Sequence, residues 1–317
     1  MKKALVLFFF PIFTFGQSLF VEVNQLFVDK EYVKAENLIM PFVNKNPNNL
    51  KGIELLGDAY GYQKKWDDAI AYYKKLVNLD EDNANYRYKY GGALGMKALR
   101  VSKFRALGMI GDIKRAFLSA AELDPKHIDA RWALVELYMQ LPGIIGGSVK
   151  RSLKYAEELE QLSLVDGYLA KGYVYENDNQ PKQAEYYYKK AIEVGGSIMC
   201  YDKLTNFYES QKDPHKAINT IEAAHTRHNT NNLNYQIGKV SADYNVQLDK
   251  GERCLKKYIE NYSTKDGVPI EWAYFRLAQI NKNRVNKTKA LHWIDKALQT
   301  RSNFKQAEEE KKKILSL

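Results

Sequence analysis

Small and apolar residues recur along this chain in a fixed order. Between Leu50 and Asn83 the order is Leu56-Gly57, Tyr60, Trp66, Ala69-Ile70, Tyr73 and Leu79-Asp80. Steps of three and four put each set on one helical face, and the gap between Tyr60 and Trp66 divides the stretch into two helices. The order returns as Lys171-Gly172, Tyr175, Ala184, Tyr188 and Ala191-Ile192. It returns again as Leu204, Tyr208, Ala217-Ile218, Ile221 and Ala224, and once more as Leu277-Ala278, Ala290-Leu291, Ile294 and Ala297-Leu298. Asn46-Pro47 and Asp124-Pro125 supply prolines that end a unit.

The pattern follows from packing. Gly57, Gly91, Gly172 and Ala278 let the first helix of a unit approach the second, and Ala69, Ala184, Ala217 and Ala290 do the same from the other side. Tyr60, Tyr73, Tyr138, Tyr175, Tyr188 and Ile221 fill the space towards the next unit, which makes much of the tyrosine content structural: 23 Tyr against 13 Phe and 4 Trp.

In this order and phase the chain resembles the tetratricopeptide repeat, a helix–turn–helix unit of 34 residues. Eight copies are expected, at 16–49, 50–83, 84–127, 128–164, 165–197, 198–231, 232–270 and 271–303. The resemblance implies an all-α, right-handed superhelical solenoid over 17–303 whose neighbouring units stabilise one another. The tail 304–317, apolar at Phe304, Ala307, Ile314 and Leu315, reads as its capping helix. Each glutamate of Glu308-Glu309-Glu310 should face a lysine of Lys311-Lys312-Lys313 three residues on.

Two units, spanning 84–164, depart from the pattern. The third overruns from Met96 through Gly108, carrying Lys97, Arg100, Lys103 and Arg105 with almost no acids, and its second helix is expected to resume by Ile113. It reads either as a lengthened helix pair or as a functional hairpin with a basic lip. The fourth replaces its turn with Leu141-Pro142-Gly143-Ile144-Ile145-Gly146-Gly147-Ser148, in which Ser148 is a good helix N-cap. With no preceding strand and no Gly-Lys-Ser/Thr, this is not a nucleotide loop. It resembles a loop of exported bacterial tetratricopeptide proteins, among them periplasmic accessory components of solute transporters, and that likeness transfers no binding residue.

The first residues change the picture of where the protein works. Lys2-Lys3, the apolar stretch Ala4–Phe15 and Gly16-Gln17 have the order of a cleaved signal peptide, with an apolar run shorter than a membrane span needs. Residues 1–16 are therefore expected to be a signal peptide and the protein to be exported to a bacterial periplasm, with no stable membrane insertion after cleavage. The net charge of +10 is spread over lysine pairs such as Lys64-Lys65 and Lys189-Lys190, as on solvated faces rather than a nucleic-acid stripe. Nucleic acid is not an expected partner.

Catalytic chemistry is not legible. Two cysteines exclude a disulfide-stapled scaffold, and Cys200 and Cys254 fall in units and helices not expected to meet. His225 and His228 could share a helical face but lack a third ligand, and no metalloprotease, hydrolase or nucleotide motif occurs. The expectation is a non-enzymatic protein without metal or cofactor.

In the family it resembles, the first helix of each unit lines the concave surface. That implies an inner face of Glu54, Asp58 and Tyr62; Tyr88 and Met96; Trp132, Glu136 and Met139; Tyr173 and Glu176; Asp202, Asn206 and Glu209; Tyr235 and Lys239; and Phe275, Gln279 and Lys282. Glu54, Asp58, Tyr88, Trp132, Glu136, Tyr173, Glu176, Asp202, Asn206, Glu209 and Tyr235 are the candidate partner-binding residues. They make an acidic, aromatic groove suited to a basic, apolar segment. The family's carboxylate clamp of paired Lys and Asn is not carried over, because acids stand here.

The resulting expectation is an exported scaffold binding a protein or peptide in this groove. The alternative is an accessory subunit of a solute transport system that holds a small ligand and oligomerises, for which a closed pocket near Trp132 would speak. The exported protein should start at or near Gln17, so its intact mass should be lower by residues 1–16; recovery of the full-length chain embedded in membrane would exclude that processing.

Overall fold

The computed structural model describes residues 13–317. The expected signal peptide lies outside the described residues except for Phe13–Gly16, which open the first helix. All regular elements among the described residues are helical, and they fall into two compact units.

The first unit, ending at Leu162, contains α1 (Phe13–Val28), α2 (Tyr32–Lys45), α3 (Leu50–Tyr62), α4 (Trp66–Leu79), α5 (Ala84–Ala98), α6 (Lys103–Leu123), α7 (Ile128–Gln140) and α8 (Val149–Leu162). The second, from Ser163, contains α9 (Leu164–Asn177), α10 (Pro181–Val194), α11 (Ile198–Ser210), α12 (Pro214–His228), α13 (Asn231–Tyr244), α14 (Leu248–Glu260), α15 (Ile270–Asn283), α16 (Lys287–Thr300) and α17 (Lys305–Leu315). These are the eight expected pairs and the terminal helix. Within a unit each helix packs on its chain neighbours, and alternate helices touch as well, α1 with α3, α5 with α7, α9 with α11 and α13 with α15. Such near-neighbour contact defines a helical-repeat solenoid. The buried residues follow suit, forming separate clusters around Ile39–Tyr73, Ile113–Tyr138, Tyr235–Tyr258 and Phe275–Phe304.

Local signals mark the boundaries. Asn49, Asn83, Ser163, Asp213 and Asn286 each accept a backbone N–H of the helix they precede. Within six of the pairs the connecting turn holds a left-handed residue, Lys30, Lys64, Asn179, Lys212, Asn245 or Val285. Val285, β-branched and 70% exposed, takes that conformation with no packing in return.

The glycines at the close approaches are enforced by rings. A Cβ on Gly57 would lie 2.7 Å from the Tyr73 ring, on Gly91 2.9 Å from Phe117, and on Gly172 2.5 Å from Tyr188. Gly238 plays the same part against Leu255, at 2.2 Å.

Two expectations hold and one is corrected. Of the two readings of the third pair's overrun, the lengthened helix pair holds: α6 begins at Lys103, well before Ile113, and runs unbroken for 21 residues. Leu315 is exposed rather than part of the cap, whose buried face is Phe304, Ala307 and Ile314. Glu310 faces Lys313 as expected, at 3.4 Å, and in addition it is buried and pairs with Lys282 of α15. The 142–148 loop makes one 3-10 turn at Gly143–Ile145. Gly146 follows at φ +104°, and a Cβ on Gly147 would strike the Leu141 carbonyl oxygen.

Gly172→Leu should cost roughly 2–4 kcal/mol, because Tyr188 is buried and the added side chain must force α9 from α10. A clearly lower melting temperature is expected in thermal unfolding; an unchanged one would mean that the ring yields.

Candidate functional site

The first helices carry polar stripes at helical spacing, and the structure shows what each polar group meets. In the first unit Glu54 pairs with Lys89 at 2.8 Å and Lys51 at 3.0 Å. Asp58 accepts from the Tyr73 hydroxyl at 2.6 Å and from the Lys89 ammonium at 2.7 Å. Burial works against the charge on Glu54, but the Lys89 ammonium outweighs it and holds the carboxyl below its ordinary value. In the second unit Glu176 accepts from the Tyr188 hydroxyl at 2.7 Å and from Ser210 at 3.1 Å, while Glu209 pairs with Lys239 at 3.1 Å. Four of the six carboxylates expected to face a partner are thus already answered by the fold.

Asp202 is different. With Asn206 and Glu209 it forms a stripe on α11, facing Asn232, Tyr235, Gln236 and Lys239 on α13. Thr205, Ile221 and Val268 complete a cavity of about 340 Å³ inside the second unit. Val268 is placed by the segment before it, where Asn231 and Asn232 hold Asp266. The carboxylate of Asp202 accepts only one long hydrogen bond, from Gln236 at 3.4 Å, and burial pushes its pKa up. Thr205 lines the same cavity, and its hydroxyl oxygen, closed off from solvent, has no hydrogen-bond partner. Tyr235 is 7% exposed and rests its ring 5.5 Å from that of Tyr258, so it forms a wall rather than a free contact. Asn206 is exposed. Glu209 being neutralised by Lys239, the cavity offers one under-satisfied carboxylate and an exposed amide, a set suited to a cationic or multiply donating group.

The remaining candidates lie elsewhere. Tyr88 and Glu136 line a second cavity, of about 460 Å³, confined to α5, α6 and α7 of the first unit. Met96 lines it too. Trp132 on α7 and Tyr173 on α9 are half-buried, and Trp132 lines neither cavity. Tyr62 stacks on Tyr32 at 4.8 Å, and Phe275 belongs to the core beneath the terminal helix. Thr205, Asn232, Gln236 and Val268 were not foreseen. A usable signal existed for Gln236: polar residues one repeat apart recur as partners, as in Ser210 with Glu176 and Asn85 with Glu54. His228 is engaged by the carbonyl oxygen of Gly196 at 2.7 Å, and both cysteines are free.

Asp202→Asn should stabilise the protein at neutral pH. With its pKa raised on folding, the folded state binds more proton than the unfolded state above the ordinary aspartate value of 3.8, so stability falls as pH rises through that window. The gain of the variant over wild type should vanish below about pH 4 in denaturant titrations, where both states are protonated. A gain independent of pH would show that Asp202 is not desolvated.

The family model for the tetratricopeptide repeat matches residues 51–83 and 165–194, which contain nearly all of α3–α4 and of α9–α10. Among solved structures, a tetratricopeptide repeat protein from Parabacteroides merdae aligns over 83% of this chain and 98% of its own, at 16% identity and a TM-score of 0.51. YrrB, a tetratricopeptide repeat protein with an unusual peptide-binding site, aligns over 62% of this chain and 98% of its own, at 20% identity and a TM-score of 0.42. The Cut9–Hcn1 hetero-tetramer of the APC/C aligns over 96% of this chain and 57% of its own, at 15% identity and a TM-score of 0.44. No curated protein sequence matches the chain.

Proposed function

Because this chain carries tetratricopeptide repeats, we propose that it is a non-catalytic scaffold whose second unit binds a protein segment through the α11–α13 cavity. The reading rests on one observation: Asp202 is left under-satisfied in a cavity where almost every neighbouring polar group is paired. A buried polar group without partners costs stability, and a ligand that supplies them recovers it. The group that fits is a Lys or Arg side chain, its charge on Asp202 and its stem against Tyr235, Ile221 and Val268. The signal-peptide order of residues 1–16 supports a place of action outside the cytoplasm. Among the described residues no helix is long and apolar enough to cross a membrane.

The test begins with affinity capture from the exported fraction and mass spectrometry, followed by calorimetric titration with segments of the identified partner. Segments carrying Lys or Arg among apolar residues should bind better than acidic ones and weaken with salt, since exposed charges are screened over about 10 Å at 0.1 M. Asp202→Lys should reduce their affinity on the order of tenfold or more. Glu136→Lys, in the other unit, should leave it unchanged. Binding insensitive to Asp202→Lys and to salt would remove the site from α11–α13.

A further inference from the structure

The cavity of the first unit has the opposite chemistry. Its 460 Å³ lie between Gly92, Gly95, Met96 and Leu99 at the end of α5, Ala106, Ile110 and Ile113 on α6, and Leu137 and Leu141 at the end of α7. The volume falls within the ~300–1,000 Å³ range of ligand pockets. Its floor is kept flat by glycine. Gly91 is closed over by Phe117, yet a Cβ on Gly92 or Gly95 would meet nothing within 4 Å. A glycine inside a helix is unfavourable relative to alanine, and here no neighbour of this chain requires one.

Exposed apolar residues adjoin the lining of the recess in sequence. Leu99 is 72% exposed, and three residues beyond Leu141 the loop holds Ile144 97% exposed. That exposure belongs to an ordered turn, since Gly146 and Gly147 fix the backbone that presents it. Basic residues adjoin the lining too, Arg100 next to Leu99, and Lys103 and Arg105 just before Ala106. Arg100, Lys103 and Arg105 are exposed and pair with no carboxylate among the described residues, whereas Lys97 and Arg115 nearby are taken by Asp67 and Asp112. The one acid in the lining is Glu136, on the α7 wall.

We propose that this groove is a docking site for an amphipathic segment of a protein partner, with apolar anchors in the α5–α7 recess and acidic residues towards Arg100, Lys103 and Arg105. A small apolar molecule would fill the recess and leave Leu99 and Ile144 wet. A membrane surface would cover those two and leave the recess empty. A second copy of this chain would bring these basic residues to a molecule that carries +10. Glu136 on the opposite wall sets the polarity, so the occupant carries its carboxylates on one side only.

The experiment is selection from a displayed library of random 16-residue peptides on the full chain, with clones remeasured as synthetic peptides by fluorescence anisotropy. Enriched peptides should place apolar residues three and four apart beside Asp or Glu. They should lose at least tenfold in affinity for Gly92→Leu/Gly95→Leu, which fills the recess, and for Arg100→Glu/Lys103→Glu, which reverses the charge beside it. The second variant changes exposed side chains only, so it remains informative if the first fails to fold. Asp202→Lys should leave these affinities unchanged, which separates this site from the α11–α13 reading. Peptides enriched in Lys or Arg, or binding unchanged in the charge-reversal variant, would overturn the proposal. So would adsorption to anionic phosphatidylglycerol vesicles without peptide binding, or a dimer in sedimentation that dissociates on Gly92→Leu/Gly95→Leu.

Discussion

A tyrosine ring pressed onto a glycine is the contact on which the rest depends. Tyr73 on Gly57 and Tyr188 on Gly172 leave no room for even a methyl group, so the spacing of two helices is set by the thickness of an aromatic ring. The same side chain then reaches past the contact with its hydroxyl. Tyr73 donates to Asp58 and Tyr188 to Glu176, each an acid on the first helix of its own pair. Burial and then the facing carboxylate hold both phenols far above their ordinary range, which keeps them protonated donors. One residue thus fixes a backbone distance and the orientation of an inner-face carboxylate, and a chain that repeats it builds a regular polar surface along with a core.

That surface is knit by partners one repeat apart. Lys89 reaches Glu54 and Asp58, Lys239 reaches Glu209, Ser210 reaches Glu176, and Arg284 reaches Glu252 and Asp249. Individually, half-exposed pairs contribute little. Their placement matters more, because each bridges a pair to the next, which is where a stack of near-neighbour interfaces needs cohesion. The acids most visible in the sequence are therefore the ones least available to a partner.

The helix pairs were legible because their signals are local: glycine and alanine at fixed steps, Asn or Ser at N-caps, proline after a helix. Gly57, Gly91 and Gly172 could be placed from spacing alone, but not the rings opposite them: Tyr73 and Tyr188 were expected to fill the space towards the next unit and instead pack on the glycine of their own pair, and nothing in the pattern singled out Phe117. The lengthened α6 was one of two readings of the overrun, and the helix carries Gly108 and Gly111 through because its neighbours stabilise it. The candidate site was legible only as a set of positions. Asp202, Asn206, Glu209 and Tyr235 do converge, but nothing local distinguishes Asp202, under-satisfied, from Glu209, neutralised, since the difference lies in whether Gln236 or Lys239 stands opposite. Charge state in a repeat protein is a property of two units together.

Glycine carries two meanings here, and the surroundings of the absent Cβ separate them. At Gly57, Gly91, Gly172 and Gly238 a side chain of the same chain fills the space, so the residue is explained by folding. At Gly92 and Gly95 the space is empty, the neighbours are apolar, and the helix carries the conformational penalty without an internal contact in return. Close packing of the core gives no folding reason for such a gap. The same reasoning applies to polar groups: Glu54, Asp58, Glu176 and Glu209 are completed from within, Asp202 is not. In both units the proposed site is marked by what the fold leaves unfilled, an apolar volume in one and hydrogen-bonding capacity in the other.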